Sequence, residues 1–427
     1  MSTTIIRNGR VIDPANKRDQ IADLYIAEGR IAEKSDVRDP NSDAEEINAK
    51  GLIVAPGLID MHVHLREPGF SHKETIESGA RAAAAGGFTT IVCMPNTSPP
   101  ADNPSTIAWI KDRAARVACV NILPAGAISK NLAGEELAPI GSLAKAGVVA
   151  VTDDGHCIQN HEIMRRAVEY ARMVGVPVLD HCQDYNLVGN GVVHEGYWST
   201  LLGLPGWPAA GEEAIVMRNI LLAELCDHPI HCQHLTTAQS VRLLREARTR
   251  GVKISGEVCP HHIALTDEAI ENFDTNYKMN PPLRSQTDVD ALLDGIADRT
   301  LSILCSDHAP HANFEKEVEF DVAPFGIIGL ETEIGLFIDL LVHKHARIDI
   351  VRLIEMYTIE PARLLKLDAG TLSQGARADV TLMDPALEWT VSVDQFQSVS
   401  RNSPFNGWKL KGRAVRTIVG GKTVWKL

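Results

Sequence analysis

The hydrophobic positions in the middle of the chain alternate between short apolar runs and longer amphipathic segments. Apolar runs of strand length lie near residues 58–65, 89–95, 121–129, 147–153, 177–182, 229–235, 253–259 and 301–307. Helical periodicity fills most of the gaps between them, at 74–85, 105–117, 162–174, 212–226 and 238–250. Strands that alternate with helices in this way favour an α/β fold, a (β/α)8 TIM-like barrel, over an open, doubly wound sheet.

The two ends of the chain show a different pattern, in which short alternating strands are interrupted by turn residues. Residues 1–55 contain Asn8-Gly9 and Glu28-Gly29 between strand-like runs, and residues 368–427 contain Gly420-Gly421 in the same setting. Neither end is long enough for a sandwich of its own, and chain termini often lie close together. We therefore predict one small β-sandwich domain that both ends form, beside a barrel of residues 56–367.

Composition and charge argue against some classes of function. The chain has 427 residues, of which 44% are hydrophobic and 23% charged, as in soluble globular proteins. The formal net charge of −13 argues against a nucleic-acid partner and against anionic membranes, but it leaves an anionic substrate open. The eight cysteines form no CxxC pair, there is no signal-peptide pattern, and no run of 18 apolar residues occurs. We therefore expect a cytoplasmic protein with reduced thiols.

Polar residues cluster where the predicted strands end, and a barrel places its chemistry at those ends. Two imidazoles two positions apart on a strand point to the same side, and a buried pair of this kind needs partners such as a metal ion. Histidine and carboxylate ligands suit zinc or a similar divalent metal, and their number suggests two ions. No GxGxxG or GxxxxGK[ST] motif follows a predicted strand, which argues against a nucleotide site. The polar residues at these strand ends are His62, His64, Arg66, Asn96, Asp153, Asp154, Asp180, His181, Gln233, His234, Asp307, His308 and His311.

Several longer motifs resemble those of the amidohydrolase superfamily, and within it the bacterial class I dihydroorotases. The resemblance extends along nearly the whole chain. The His-x-His pair is shared by the superfamily, whereas the run from His64 to Gly69 and the run from Met94 to Thr97 are narrower and favour dihydroorotase. The motifs that carry it are Ala55-Pro56-Gly57-Leu58-Ile59-Asp60, His62-Val63-His64, Arg66-Glu67-Pro68-Gly69, Met94-Pro95-Asn96-Thr97, Thr152-Asp153-Asp154-Gly155, Pro260-His261-His262, Asn280-Pro281-Pro282-Leu283-Arg284, Ser306-Asp307-His308-Ala309-Pro310-His311 and Ala323-Pro324-Phe325-Gly326.

The resemblance implies a role for each candidate site residue. One metal ion would be held by His62 and His64 and a second by His181 and His234. A carboxylate would bridge the ions where many relatives carry a carbamylated lysine; the resemblance favours Asp154, with Asp153 as the alternative. Asp307 would be a ligand of the first metal and the catalytic acid/base. The substrate-binding residues would be His64, Arg66, Asn96, Asn280, His311, Phe325 and Gly326, with Arg66 facing the substrate carboxylate.

The implied activity is the reversible, zinc-dependent cyclisation of N-carbamoyl-L-aspartate to L-dihydroorotate in pyrimidine biosynthesis, in a homodimer. Two alternatives stay open. An allantoinase or dihydropyrimidinase usually carries the bridging lysine and lacks the Arg66-Glu67-Pro68-Gly69 run. An inactive scaffold subunit for aspartate transcarbamoylase should have lost metal ligands, which this chain retains; an association with that enzyme remains a further expectation.

Some candidate residues have a plainer structural alternative. Arg66 could form a salt bridge with Glu67 or Asp60, Asn96 could cap a turn, and His311 could lie in a loop without touching ligand. His261 and His262 are more typical of a packed core, so we leave both out of the metal set. The charged segment 312–322 is predicted to be a mobile loop over the site, with an ordinary solvated connection as the alternative.

Overall fold

The computed structural model describes residues 3–36 and 44–427, so part of the predicted segment 1–55 lies outside the described residues. The strands are β1 (Thr3–Asp13), β2 (Arg18–Ala27), β3 (Arg30–Ala32), β4 (Glu45–Asn48), β5 (Ile53–Pro56), β6 (Leu58–Val63), β7 (Phe88–Cys93), β8 (Asn121–Pro124), β9 (Val178–Asp180), β10 (Val193–His194), β11 (Gly206–Trp207), β12 (Ile230–Cys232), β13 (Ile254–Val258), β14 (Ile303–Leu304), β15 (Val380–Thr390), β16 (Lys409–Val419) and β17 (Lys422–Lys426).

Helices alternate with the central strands and give a mixed α/β architecture. They are α1 (Ile76–Gly86), α2 (Pro104–Val117), α3 (Ile140–Ala146), α4 (His161–Val174), α5 (Tyr185–Val188), α6 (Tyr197–Leu202), α7 (Ala210–Cys226), α8 (Ala238–Thr249), α9 (His261–Ala264), α10 (Gln286–Ala297), α11 (Asn313–Lys316), α12 (Glu333–Phe337), α13 (Ile350–Tyr357) and α14 (Ile359–Leu365), and a π-helix (Ile338–Lys344) follows α12. No helix among the described residues is long and apolar enough to cross a membrane.

The five helices predicted from periodicity form within two residues of their expected bounds. Polar residues cap the start of four of them, α1, α2, α4 and α8. Asn160, for example, accepts hydrogen bonds from the backbone N–H groups of Glu162 and Ile163 at the start of α4. Gly175 ends the same helix in the left-handed conformation, with φ of 79°. Local capping therefore reinforces the amphipathic pattern that predicted these helices.

The central strands run parallel and are linked in chain order. Strands β6, β7 and β8 form one sheet, and β9, β12, β13 and β14 form another. Parallel bridges from Val151 to both Gly126 and Val178 connect the two sheets, and a bridge between Val63 and His308 connects the last strand region to the first. The carboxyl ends of all these segments therefore lie on the same side, which is where the polar residues are.

The predicted fourth strand, 147–153, does not form a regular ladder, and only Val151 makes bridges there. Gly147 has a φ of 97° and ends α3, so the extended segment begins late. At its other end, Asp153 turns to accept hydrogen bonds from the backbone N–H groups of Ile128 and Ser129. Between these constraints only Val151 forms bridges, which corrects the prediction of a regular strand over 147–153.

Both ends of the chain belong to a single sheet with the order β17-β16-β15-β5-β1-β2-β3, in which β4 also pairs with β1. The antiparallel ladder between β5 and β15 joins the two ends. Its core contains Ile6, Val11, Val380 and Ile418, all fully buried. Because β5 leads through Gly57 directly into β6, this sheet holds the first site-bearing strand in place.

Candidate metal centre and substrate pocket

A cavity of about 350 Å³ lies where the parallel strands end. All predicted site residues except His62 line its wall, and His62 is fully buried next to it. The predicted residues are therefore brought together from distant parts of the chain. The wall is formed by His64, Arg66, Asn96, Asp154, Gly155, His181, His234, Asn280, Asp307, Ala309, His311, Pro324, Phe325 and Gly326.

The histidine pair on β6 and its continuation faces two carboxylates. His62 Nε2 is 3.1 Å from Asp154 Oδ1 and 3.5 Å from Asp307 Oδ1. His64 Nε2 is 3.2 Å from Asp154 Oδ2 and 3.1 Å from Asp307 Oδ1. The strand period of two places both imidazoles on this side, as predicted from the His-x-His spacing.

A second pair of histidines meets the other side of Asp154. His181 Nδ1 and His234 Nε2 are 2.8 Å apart, and each is 3.7 Å from Asp154 Oδ1. Asp154 therefore lies between the two histidine pairs, where a bridging carboxylate would have to be. By contrast, Asp153 points away and binds the backbone at 128–129. The geometry thus distinguishes the two adjacent aspartates that the sequence left as alternatives.

The partners of three histidines fix which ring nitrogen carries the proton. His62 Nδ1 is 2.6 Å from Glu257 Oε1, and His64 Nδ1 is 2.9 Å from the amide oxygen of Asn96. His181 Nε2 is 2.9 Å from the amide oxygen of Gln183. Carboxylate and amide oxygens only accept hydrogen bonds, so these nitrogens donate. In the neutral rings, the lone pairs of the other nitrogens then face the carboxylates of the cluster.

Lone pairs and carboxylate oxygens at these distances repel each other unless a cation lies between them. Burial lowers the pKa of His62, but Asp154, Asp307 and Glu257 outweigh burial and hold that pKa well above its ordinary value. Asp154 Oδ1 and His234 Nδ1 are buried without a hydrogen-bond partner among the residues that the structure describes. A cluster that favours a cation, and that offers N and O donors with fixed tautomers, fits one or more divalent metal ions.

Three site residues other than glycine have positive backbone φ angles: Arg66 at 60°, His234 at 34° and Asp307 at 46°. This region is sparsely populated by residues with a Cβ. Each of the three follows the end of a strand and turns its side chain toward the cavity. Strain of this kind persists where the surroundings enforce it, and it concentrates at functional sites.

Arg66 and His311 form the cationic end of the cavity. Arg66 Nε donates a hydrogen bond to the carbonyl of Pro310 at 3.1 Å, and Nη2 lies 3.5 Å from His311 Nε2. Burial lowers the pKa of Arg66 to about 10, so the guanidinium stays charged at neutral pH. Part of the residue contacts solvent. Glu67 instead accepts from the backbone N–H of Ile76, so the predicted alternative of a salt bridge with Arg66 does not occur in the structure.

His311 is neutral in this arrangement. Burial, together with the charges of Arg66 and Lys73, lowers its pKa to about 2. Its Nε2–H donates to the carbonyl of Phe325 at 2.8 Å, which leaves Nδ1 to accept from the Lys73 ammonium at 3.4 Å. His311 therefore ties the Phe325 backbone to the cavity wall.

Two buried lysines hold the segment that follows strand β14. Lys316 Nζ donates to the carbonyls of Pro324 and Gly326 at 2.9 and 3.0 Å. Lys278 Nζ donates to the carbonyls of Phe320 and Asp321 at 2.8 and 2.9 Å. These hydrogen bonds anchor parts of 312–326, while most side chains of 312–322 are exposed; that the segment is a mobile loop over the site stays a prediction. Its anchoring shapes the Phe325–Gly326 wall.

Comparison with known proteins agrees with this geometry. Residues 51–240 match the family model described as Dihydro-orotase-like. The chain is 49% identical over 422 residues to a dihydroorotase from Citrifermentans bemidjiense, covering 99% of each sequence. It is 50% identical over 420 residues to a dihydroorotase from Pelotomaculum thermopropionicum, covering 98% of each.

The chain belongs to the dihydroorotase family.

Solved structures of other enzymes have the same fold as this chain. An L-hydantoinase (dihydropyrimidinase) from Arthrobacter aurescens superposes with a TM-score of 0.89 at 24% identity, over 100% of this chain and 96% of that one. A dihydropyrimidinase from Brevibacillus agri superposes with a TM-score of 0.86 at 25% identity, over 99% of this chain and 95% of that one. The dihydroorotase-family chain therefore shares its architecture with these enzymes.

Two polar residues of this dihydroorotase-family site were missed in the sequence. Glu257, on β13, is fully buried and contacts both His62 and His231. Burial raises its pKa, but those histidines outweigh burial and hold it well below its ordinary value. Gln183 joins His181 to the amide of Asn280, at 2.9 and 3.3 Å. A glutamate inside an apolar strand and a glutamine two positions after a site histidine were the available signals.

Proposed function

We propose that this enzyme is a dihydroorotase that interconverts L-dihydroorotate and N-carbamoyl-L-aspartate, a step of pyrimidine biosynthesis. It is a hydrolase acting on cyclic amides. The observation that carries the proposal is the presence, in one cavity, of a histidine–carboxylate cluster and the Arg66 guanidinium. Such a cavity suits a small cyclic amide that also bears a carboxylate. The relatives that match this chain along almost all of its length support the same activity.

Two zinc ions are proposed for the cluster. His62, His64 and Asp307 would hold one ion, His181 and His234 the other, and Asp154 would bridge them. The support is the set of lone pairs and carboxylates that converge around Asp154. When bound, the ions would supply the polarisation of the scissile carbonyl and a lowered pKa of water.

Asp307 would carry out the proton transfers. It is buried and lies beside His64 at the cavity wall. Burial raises its pKa, but His62 and His64 outweigh burial and keep it below the ordinary value, so the carboxylate is available as a base. It would take a proton from the attacking water and deliver it to the departing ring nitrogen. The amide carbon then becomes a carboxyl group, which loses its remaining proton to solvent, and the nitrogen becomes the NH₂ of the carbamoyl group.

The remaining wall residues would orient the substrate. Arg66 would bind the substrate carboxylate, with the Asn96 amide and His311 beside it and His64 at the reacting end. Asn280 and the Phe325–Gly326 backbone would hold the pyrimidine edge. The support is that all of these residues line the same cavity, and that the buried Asn280 amide oxygen has no hydrogen-bond partner among residues 3–36 and 44–427.

A substrate panel tests the proposal. The metal-loaded protein should hydrolyse L-dihydroorotate at least tenfold more efficiently, as kcat/KM, than dihydrouracil, hydantoin or allantoin. A preference for hydantoin or dihydrouracil would favour the second candidate function, which is motivated by the structural likeness to hydantoinases. No turnover of any of these would favour an inactive scaffold subunit.

Further features belong to the same proposal. The parallel strands and the bridges at Val151 and His308 would form a closed (β/α)8 barrel of residues 56–367, beside a β-sandwich domain from residues 1–55 and 368–427. The enzyme would belong to bacterial class I, act in the cytoplasm as a homodimer and associate with aspartate transcarbamoylase. Sedimentation of the purified protein, alone and mixed with that enzyme, tests the two assembly proposals.

A further inference from the structure

A second group of potential metal ligands lies at the junction between β13 and α9, apart from the cluster around Asp154. It consists of Cys259, His261 and His262, which are 0%, 1% and 3% exposed. One ligand atom from each lies within 4.8 Å of the other two. None of the three lines the substrate cavity, and the proposed dihydroorotase mechanism uses none of them.

The tautomer of His262 is fixed by the backbone. Its Nε2 lies 3.0 Å from the carbonyl oxygen of Pro281, and a carbonyl can only accept, so Nε2 carries a proton. In the neutral ring, Nδ1 then carries a lone pair, and this atom is buried with no hydrogen-bond partner in the described part of the chain. A histidine that donates one N–H to a backbone carbonyl and directs the other nitrogen into a cluster has the usual arrangement of a metal ligand.

His261 has an even less satisfied ring. Both of its nitrogens are buried, and among the described residues neither has a hydrogen-bond partner. A polar atom buried without a hydrogen-bond partner is unfavourable. The ring packs against His262 with a centroid separation of 4.2 Å, so the two incompletely hydrogen-bonded imidazoles are neighbours.

We propose that Cys259, His261 and His262 bind a further metal ion, a thiophilic divalent ion such as zinc. Two imidazoles and a thiolate form a donor set that zinc accepts readily. On binding, the Cys259 thiol releases its proton to solvent and the sulfur bonds to the metal, while each imidazole supplies a lone pair. The ion would give a partner to His262 Nδ1 and to one of the two unpaired nitrogens of His261.

The proposed ion would act on structure rather than on the reaction. His262 donates a hydrogen bond to the carbonyl of Pro281. Pro281 directly follows Asn280, which lines the cavity. Fixing His262 would therefore steady the segment that presents Asn280 to the substrate. We expect removal of this ion to lower thermal stability and to raise KM more than it lowers kcat.

Cobalt substitution tests the site without relying on activity. The ligands proposed for the cluster around Asp154 include no sulfur, so a sulfur-to-cobalt charge-transfer band in the near ultraviolet would report only a cysteine-bound ion. The apoprotein reconstituted with Co²⁺ should show this band, and the zinc-loaded protein should contain one more ion per chain than Cys259→Ser. The band should vanish in Cys259→Ser.

Cys305→Ser is the matched control, because the Cys305 sulfur is equally buried and only 3.5 Å from that of Cys259. It should keep the band. No band in the cobalt-loaded wild-type protein would overturn the proposal, as would a band that persists in Cys259→Ser. The wild-type measurement tests the metal-site proposal even if a variant fails to fold. Absence of the band would overturn the metal site and would leave the proposed dihydroorotase activity unaffected.

Discussion

Replacing Arg66 by alanine should separate the recognition of the substrate carboxylate from the chemistry on the ring. Arg66 is charged at neutral pH, with its pKa lowered only to about 10, and its Nε is occupied by the Pro310 carbonyl at 3.1 Å. Its terminal nitrogens are directed at the cavity beside His311. The guanidinium is therefore oriented before substrate arrives, and its loss removes a charge-assisted interaction rather than a flexible contact.

The magnitude follows from that interaction. A hydrogen bond to a charged group contributes about 1.5–3 kcal/mol. At about 1.4 kcal/mol per factor of ten, kcat/KM for dihydroorotate should fall by roughly 10- to 150-fold. Dihydrouracil has no carboxylate, so its kcat/KM should change by less than about threefold. Arg66→Lys should be intermediate, because lysine keeps the charge but loses the planar fork.

The assay is steady-state hydrolysis of both substrates by metal-loaded wild-type protein and variants, with metal content measured in each. Arg113→Ala is a suitable control, since Arg113 is partly exposed and does not line the cavity. Equal losses on dihydroorotate and dihydrouracil would refute the carboxylate role and indicate a structural defect instead.

Two further predictions concern residues that support the site. Glu257→Gln should weaken metal binding about 10- to 100-fold, because the charged acceptor of the His62 N–H is lost. Substitution of the exposed Glu271 by glutamine should leave metal affinity unchanged. Chelator competition measures the affinity, and an unchanged affinity in Glu257→Gln would contradict the prediction. Burial lowers the pKa of Lys316 from 10.5 to about 7, so between these values the unfolded state binds more protons and stability rises with pH. Thermal unfolding at a series of pH values should show a smaller rise of stability with pH in Lys316→Met and the full rise in Lys50→Met, since Lys50 is exposed. Parallel curves of stability against pH for the wild-type protein and both variants would show the argument to be wrong.

The sequence predicts best where a residue's role follows from its position on a strand. The spacing of His62 and His64 requires both side chains to face one side, and the structure places them there against Asp154 and Asp307. Helix bounds were also predictable, because amphipathic periodicity and capping residues coincide. These features depend on local geometry, which residues close together in the sequence determine.

Other features depend on which distant groups lie opposite, and local patterns do not contain that information. Adjacent Asp153 and Asp154 carry the same side chain, and only the resemblance favoured Asp154; their different partners, such as the backbone N–H groups of 128–129 for Asp153, come from distant parts of the chain. The segment 312–322 has the charge of a solvated loop, yet the side chain of Lys316 is buried among carbonyls contributed by residues before and after it. Glu257 has a role only because β13 faces β6 across the site.

The most direct test of the account is the turnover of dihydroorotate by the metal-loaded protein beside its Asp307→Asn variant, with metal content measured in both. The wild-type protein should hydrolyse dihydroorotate. The variant should retain most of its metal through the four histidines and Asp154, yet lose at least about 100-fold in kcat, because the group that moves the proton is gone. Absence of turnover in the wild-type protein, or full activity in the variant, would contradict the account.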